Sequence, residues 1–168
     1  MAPDKPTLRR VAAGIRDDMA NVSRILAVID GCGPRFAARA PDPIELHGVA
    51  GYLHDFYCAV ENALARVVPV LNGAIPAGAA WHRELLQVVI LDLPGVRPPV
   101  LSRGAARGLD EFMRFRHRYR QMYAYDLEWQ PVAALVAGAR QAWEPVRFDL
   151  EKFLAFLDAA AEVVDQEE

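Results

Sequence analysis

Apolar residues recur at steps of three and four along most of the chain, and no segment shows the strict alternation of a half-buried strand. Clusters of glycine and proline separate these periodic segments. The pattern predicts an all-α fold, an up-and-down bundle of four to five main helices with short connections. The length of 168 residues suits one hydrophobic core, so we expect a single domain over residues 1–168.

Turn-forming residues give the expected helix boundaries. Ser102 is a good N-cap for the fourth helix. Pro69 is expected to kink or end the second helix, and Pro145 to bend or break the last one. Loops are expected at 31–43, 72–80 and 93–102. The expected helices cover residues 8–29, 44–71, 79–91, 102–123 and 130–164.

Composition limits the class of protein. Hydrophobic residues make up 53% of the chain, which predicts apolar surface covered by a second copy in a homodimer. The net charge of −3 excludes a polycation, so any binding of nucleic acid depends on a local patch. Cys32 and Cys58 are too few and too isolated for a disulfide framework, which favours a reduced, cytoplasmic setting. We find no secretory signal and no apolar run long enough to span a membrane.

Positive charge is concentrated in the segment RFRHRYRQMYAYDLEW, residues 114–129. Six arginines, two acids and no lysine lie between Arg103 and Arg120. A charge run alone is usually a solvated face that pairs with acids elsewhere in the protein. Because the planar guanidinium suits bidentate contact with phosphate, and His117 and tyrosines lie among the arginines, we favour a phosphate-binding face.

Helical geometry divides this segment into two faces. The apolar and aromatic side chains form a stripe that we expect to be buried. Arg116, Arg120 and Tyr123 border this stripe, whereas Arg114 and Arg118 point outward. His117 and Gln121 are neighbours one turn apart on the next face. The predicted buried stripe consists of Phe112, Phe115, Tyr119 and Met122.

Four separated blocks of the chain resemble, in order and spacing, the HepT-like branch of the HEPN superfamily. This resemblance implies a small HEPN-like helical bundle, and many members are ribonuclease toxins paired with a nucleotidyltransferase antitoxin. The blocks are YLHDFYCAVENAL (52–64), IPAGAAWHRELLQ (75–87), GVRPPVLS (95–102) and FRHRYRQMYAYDLEW (115–129).

The resemblance extends to the catalytic motif of the family, with one departure. Arg116 matches the motif arginine and His117 the polar position after it. Tyr123 matches a tyrosine that the partner enzyme can nucleotidylate to silence the toxin. The motif histidine falls on Gln121. The implied function is the toxin of a type II toxin–antitoxin system, an endoribonuclease that needs no metal or cofactor and leaves 2′,3′-cyclic phosphate ends.

Glutamine at position 121 matters because this chemistry needs a group that moves a proton. The ribose 2′-OH attacks the adjacent phosphate, arginine stabilises the growing charge, and histidine carries the proton. Gln121 can orient a hydroxyl but cannot act as a base, and losing a general base costs roughly a hundred- to ten-thousandfold in rate. His117 is then the candidate acid or base. Its alternative roles are to orient Arg116, to cap a carbonyl or to bind RNA.

The predicted site places Arg116 on the scissile phosphate, in a cleft where two copies of the bundle meet. Arg114, Arg118, Arg120 and Gln121 are predicted to contact the RNA around it.

Other candidate residues have structural explanations. His82 is far more often a packing or capping residue than a catalytic one, and Tyr123 suits an interface equally well. His54 and Cys58 are one turn apart, but two ligands without a third do not make a metal site.

Two alternative functions stay open. One is a non-catalytic adaptor that binds RNA or docks a nucleotidyltransferase, and the other is a structural helical dimer whose arginines only form salt bridges.

Overall fold

The computed structural model describes residues 3–71, 81–123 and 126–163. These residues form α-helices joined by loops, with one isolated bridge between Leu93 and Arg97 and no strand within the described ranges. The all-α prediction is confirmed. The described helices are α1 (Lys5–Arg35), α2 (Pro43–Leu71), α3 (Trp81–Val89), α4 (Arg103–Gly108), α5 (Asp110–Tyr119) and α6 (Trp129–Val163).

Three long helices build the core. α1 packs along both α2 and α6, and the short connection after α1 makes α1 and α2 antiparallel neighbours. α3 and α5 lie on α2, and α4 lies on α6. Burial of the apolar stripes that predicted the helices supplies the main stabilising term. No helix in the described ranges is long and apolar enough to cross a membrane.

α1 is longer than predicted, because the segment 31–43 is not all loop. The helix continues through Gly31, Gly33 and Pro34 to Arg35. Tertiary contacts override the weak helix propensity of these residues: Cys32 is buried, and the ring of Phe36 packs edge-on against Trp129 at 5.4 Å.

The predicted helix 102–123 is two helices, α4 and α5, and it ends earlier than expected. Ser102 caps α4 as predicted, its hydroxyl accepting a hydrogen bond from the backbone N–H of Ala105 at 3.2 Å. The turn after Tyr119 tightens, and the N–H of Gln121 bonds to the carbonyl of Arg118 at 2.9 Å. Met122 is exposed rather than buried, so the stripe beyond Tyr119 has no core to pack on and the helix stops.

The prolines do not interrupt the long helices. α6 runs through Pro145 without a break, because Trp143 and Val146 on either side are buried and packing holds both halves. α2 likewise continues past Pro69 to Leu71. The predicted loop 72–80, and with it the expected start of α3, lies outside the described residues.

The loop before α4 is organised by a buried arginine. Arg97 is almost fully buried and donates hydrogen bonds to the carbonyls of Val88, Leu91 and Pro98 at 2.9–3.0 Å. Burial lowers the pKa of Arg97 from its ordinary value. Gly95 takes a φ of 76°, which suits a residue without a side chain in this turn. The loop therefore connects α3 to α4 with a defined shape.

Two phenylalanines of α6 provide a matched test of the core. Phe153 is buried, whereas Phe148 is exposed on the same helix. We expect Phe153→Ala to lower the free energy of unfolding by about 3–5 kcal/mol through lost burial and a cavity, and Phe148→Ala to change it by less than about 0.5 kcal/mol. Urea unfolding followed by circular dichroism measures both, and equal losses would contradict the assigned core.

Candidate active site

A stripe of polar side chains runs along one side of helix α2. His47, His54, Cys58 and Glu61 are spaced at seven, four and three residues, which places them on one side of the helix. This side meets α5, where Arg116 lies between Phe112 and Tyr119 on the face that packs against α2. The fold therefore brings together charged groups that are far apart in the chain.

The guanidinium group of Arg116 is held by three side chains. Its Nε donates to the sulfur of Cys58 at 3.2 Å, and its Nη1 contacts Nε2 of His82 at 3.0 Å. Its Nη2 forms an ion pair with Oε2 of Glu61 at 3.4 Å. The Arg116 side chain is only 13% exposed. Arg116 is thus fixed in one orientation by its own chain.

Glu61 connects Arg116 to His82. The carboxylate is 4% exposed, and its Oε1 accepts a hydrogen bond from Nδ1 of His82. A guanidinium can only donate hydrogen bonds, so Nε2 of His82 must be the acceptor from Arg116. The hydrogen bonds therefore assign the donor role to Nδ1 and the acceptor role to Nε2. We call Cys58, Glu61, His82 and Arg116 the Arg116 cluster.

Burial controls the protonation of two neighbouring groups. It raises the pKa of the Cys58 thiol, while the hydrogen bond from Arg116 acts in the opposite direction. It also raises the pKa of Tyr57, and the charge of Glu61 adds to that shift. Both groups are therefore neutral near pH 7, and Cys58 is a weak acceptor for Arg116 rather than a reactive thiolate.

Tyr119 continues the polar stripe toward the surface. Its hydroxyl lies 3.5 Å from Nε2 of His47, and its ring lies 5.4 Å from that of His54. Burial and the nearby charge of Asp55 raise the pKa of Tyr119. Tyr119 is partly buried, in agreement with its place on the predicted apolar stripe.

The Arg116 cluster opens into a cavity of about 740 Å³ between α3, α5 and α6. A second cavity of about 490 Å³ adjoins it and shares Arg83, Met113 and Arg114 with it. We call the two together the basic groove, because six arginines line it and Asp110 and Glu111 are its only acidic lining residues in the described ranges. The groove arginines are Arg83, Arg103, Arg107, Arg114, Arg116 and Arg118.

Most of these arginines are not neutralised by the protein. Arg116 pairs with Glu61, and Arg114 lies 3.8 Å from the exposed Asp110. Within the described part of the chain, the other four groove arginines form no ion pair with an acid. Internal salt bridges therefore account for only part of the arginine cluster, and the groove presents positive charge to a ligand.

The predicted site residues fall into two groups. Arg114, Arg116, His117 and Arg118 line the larger cavity together. Gln121 lies in the turn after α5, so it is not the helical neighbour of His117 that the sequence predicted. Arg120 and Gln121 are exposed, and among the described residues neither lines the groove. Tyr123 is 69% exposed.

Sequence reasoning missed the partners of Arg116. Local spacing does not point to Glu61, and it favours a packing or capping role for His82. The available signal was Glu61 itself, which follows Val60 on the apolar side of α2. A carboxylate at such a position is rarely buried without a partner. The pair His54 and Cys58 gains no third ligand, and no group of metal-binding side chains occurs in the described ranges.

Comparison with known proteins gives one match. A family model described as HepT-like protein matches residues 48–157, which is well over half of the chain. Comparisons with curated proteins and with solved structures found no match. The matched range contains the complete Arg116 cluster and all the lining residues of the basic groove.

Removal of Glu61 should expose the cost of the buried ion pair. We expect Glu61→Ala to lower the free energy of unfolding by about 3–5 kcal/mol, because Arg116 then stays buried without a counter-charge. Glu162→Ala, which removes the surface pairs that the exposed Glu162 forms with Arg9 and Lys5, is the control and should cost less than about 1 kcal/mol. Urea unfolding curves measure both values. Similar losses for the two variants would show that the Arg116 pair is no more important than a surface pair.

Proposed function

Since the chain belongs to the HepT-like family, we propose that it is the toxin of a type II toxin–antitoxin system, an endoribonuclease that leaves 2′,3′-cyclic phosphate ends without a metal. The Arg116 cluster is its active site. The observation that carries this proposal is an arginine fixed in the wall of a basic cavity that two histidines also line, His82 and His117. Phosphate binding and proton transfer are the two functions that such a site needs.

Arg116 supplies the electrostatic part of the reaction. Attack of the 2′-oxygen on phosphorus builds negative charge on the phosphate oxygens, and the guanidinium at the cavity wall stabilises this charge. Cys58, Glu61 and His82 hold the Arg116 guanidinium at the cavity wall, and an incoming phosphate replaces His82 as the acceptor of Nη1.

The basic groove is the path of the RNA backbone. Arg114 and Arg118 lie beside Arg116 in the larger cavity and contact the flanking phosphates. Arg103 and Arg107 extend the positive charge into the adjoining cavity. A groove lined with arginine suits single-stranded RNA, whose backbone offers one charge per nucleotide. Arg120 and Gln121 lie at the exposed end of α5, where they contact RNA that leaves the groove.

A nucleotidyltransferase antitoxin silences the enzyme by modifying Tyr123. The exposure of this side chain supports the proposal, because a second enzyme must reach the hydroxyl. The protein acts in the cytoplasm as a homodimer, which the high apolar content favours.

The second candidate function is a non-catalytic adaptor that binds RNA or docks the nucleotidyltransferase. Gln121 at the motif histidine position favours it, and so does the ion pair that occupies Arg116. Gln121→His separates the two functions. A variant that cleaves RNA when the wild type does not supports the adaptor, whereas cleavage by the wild type supports the toxin.

Activity of the wild type and of Arg116→Ala tests the proposed enzyme. We expect the wild type to cleave single-stranded RNA in EDTA and to leave 2′,3′-cyclic phosphate ends, detected by mass spectrometry. Arg116→Ala should lower the rate about a hundred- to a thousandfold, which is typical for loss of a charge-stabilising donor. Arg140→Ala on α6, where Arg140 pairs with Asp30, is the control and should keep wild-type activity. Equal cleavage by Arg116→Ala would contradict the assignment.

Salt dependence tests the RNA path. The binding constant is measured at several salt concentrations with a 2′-O-methyl oligonucleotide that cannot be cleaved. The slope of its logarithm against the logarithm of the salt concentration should become less negative by about 0.7 for each phosphate that the protein no longer neutralises. We therefore expect a shallower slope for Arg103→Ser combined with Arg107→Ser. Arg9→Ser combined with Arg16→Ser removes the same charge from α1 and should leave the slope unchanged. If both double variants behave alike, the RNA does not follow the basic groove.

A further inference from the structure

We propose that His82, oriented by Glu61, is the general base that accepts the proton of the ribose 2′-OH and so replaces the histidine that Gln121 displaces. This inference rests on the proposed ribonuclease function. It assigns proton transfer to a residue of α3, outside the arginine-rich helix α5.

The position of Nε2 is the first argument. Nε2 of His82 lies 3.0 Å from Nη1 of Arg116, and both side chains line the larger cavity. A phosphate that binds Nη1 takes the place that His82 now occupies as acceptor, and this frees Nε2. The 2′-oxygen is joined to the phosphorus of that phosphate through C2′, C3′ and the 3′-oxygen. This short linkage brings it within hydrogen-bonding reach of Nε2 of His82.

The hydrogen bonds of the His82 ring are a second reason for the assignment. Nδ1 carries the proton that Glu61 accepts, which leaves Nε2 with a lone pair facing the guanidinium. A base must be unprotonated on the atom that faces its substrate, and His82 meets this condition. The His82 side chain is 17% exposed, so it is shielded from bulk water and still open to the cavity.

The hydrogen bond between Glu61 and His82 is a third reason for the assignment. A buried carboxylate on Nδ1 fixes the ring and its tautomer, and it stabilises the imidazolium that forms when Nε2 accepts a proton. Trp81 lies against the ring of His82 with a centroid distance of 4.0 Å, which further limits its movement. His117 is exposed and, within the described residues, has no hydrogen-bonding partner that orients its ring.

The two histidines divide the proton transfers. The 2′-OH proton moves to Nε2 of His82 while the 2′-oxygen bonds to phosphorus and the bond from phosphorus to the 5′-oxygen breaks. His117, as imidazolium, donates a proton to the departing 5′-oxygen. The products are a 2′,3′-cyclic phosphate and a 5′-hydroxyl. Exchange with water then removes the proton from His82 and returns one to His117.

Two substitutions of His82 separate a base from a structural residue. His82→Asn keeps a donor for Glu61 but cannot accept a proton, so cleavage of RNA should fall about a hundred- to ten-thousandfold, with binding of the 2′-O-methyl oligonucleotide unchanged. His82→Ala should lose activity equally and regain it in part when free imidazole is added. Recovery in imidazole points to a missing proton-transfer group, and the unchanged oligonucleotide binding of His82→Asn argues against lost packing. His54→Gln is the control, because His54 is a histidine of α2 that lies outside the Arg116 cluster, and it should keep wild-type activity.

Each outcome decides between the proposals. If the wild type cleaves RNA and His82→Asn cleaves at the same rate, the base assignment is wrong while the ribonuclease stands. Loss of activity in His82→Ala without recovery in imidazole also overturns the assignment. If the wild type itself cleaves nothing, the proposed function fails, and this inference fails with it. Circular dichroism checks folding, and His82→Gln, whose amide reaches toward the position of Nε2, replaces His82→Asn if that variant does not fold.

Discussion

The buried ion pair between Glu61 and Arg116 is the interaction on which the candidate site depends. It joins α2 to α5, and the hydrogen bond from His82 adds α3 to the same carboxylate. Taking charges out of water costs several kcal/mol for each ion, and only close partners with additional hydrogen bonds offset that cost. Cys58 and His82 provide those hydrogen bonds. A hydrophobic replacement could stabilise the bundle as well, so stability alone does not explain why charge is retained here.

This arrangement also links ligand binding to the protein interior. A phosphate that binds Arg116 competes with Glu61 and His82 for the same donors. Under the proposed function, the free protein holds the arginine that binds the scissile phosphate in an internally paired state, and the RNA phosphate replaces these internal partners. In the same proposal, the groove arginines that form no ion pair with a described acid attract the RNA backbone first, because the described protein does not neutralise their charge.

Sequence periodicity predicted the helices and the class of fold, because burial of apolar stripes governs both. Helix ends were less predictable. α1 continues through Gly33 and Pro34 since Cys32 and Phe36 pack on the core, and α5 stops at Tyr119 since Met122 has nothing to pack on. The resemblance to the HepT-like family is confirmed by the family match. The sequence pointed to Arg116 as a candidate but not to its partners, because Glu61 and His82 reach it from other helices through contacts that no local spacing encodes.

The loop organised by Arg97 has a consequence for affinity. The buried Arg97 guanidinium binds two carbonyls of this loop and the carbonyl of Val88 in α3. It thereby holds the start of α4, with Arg103 and Arg107, at a fixed distance from α3. A lysine has one compact ammonium and cannot span three such acceptors in a plane. The wall of the groove is consequently preorganised, so under the proposed function an RNA strand loses its own conformational freedom on binding without also having to order the protein.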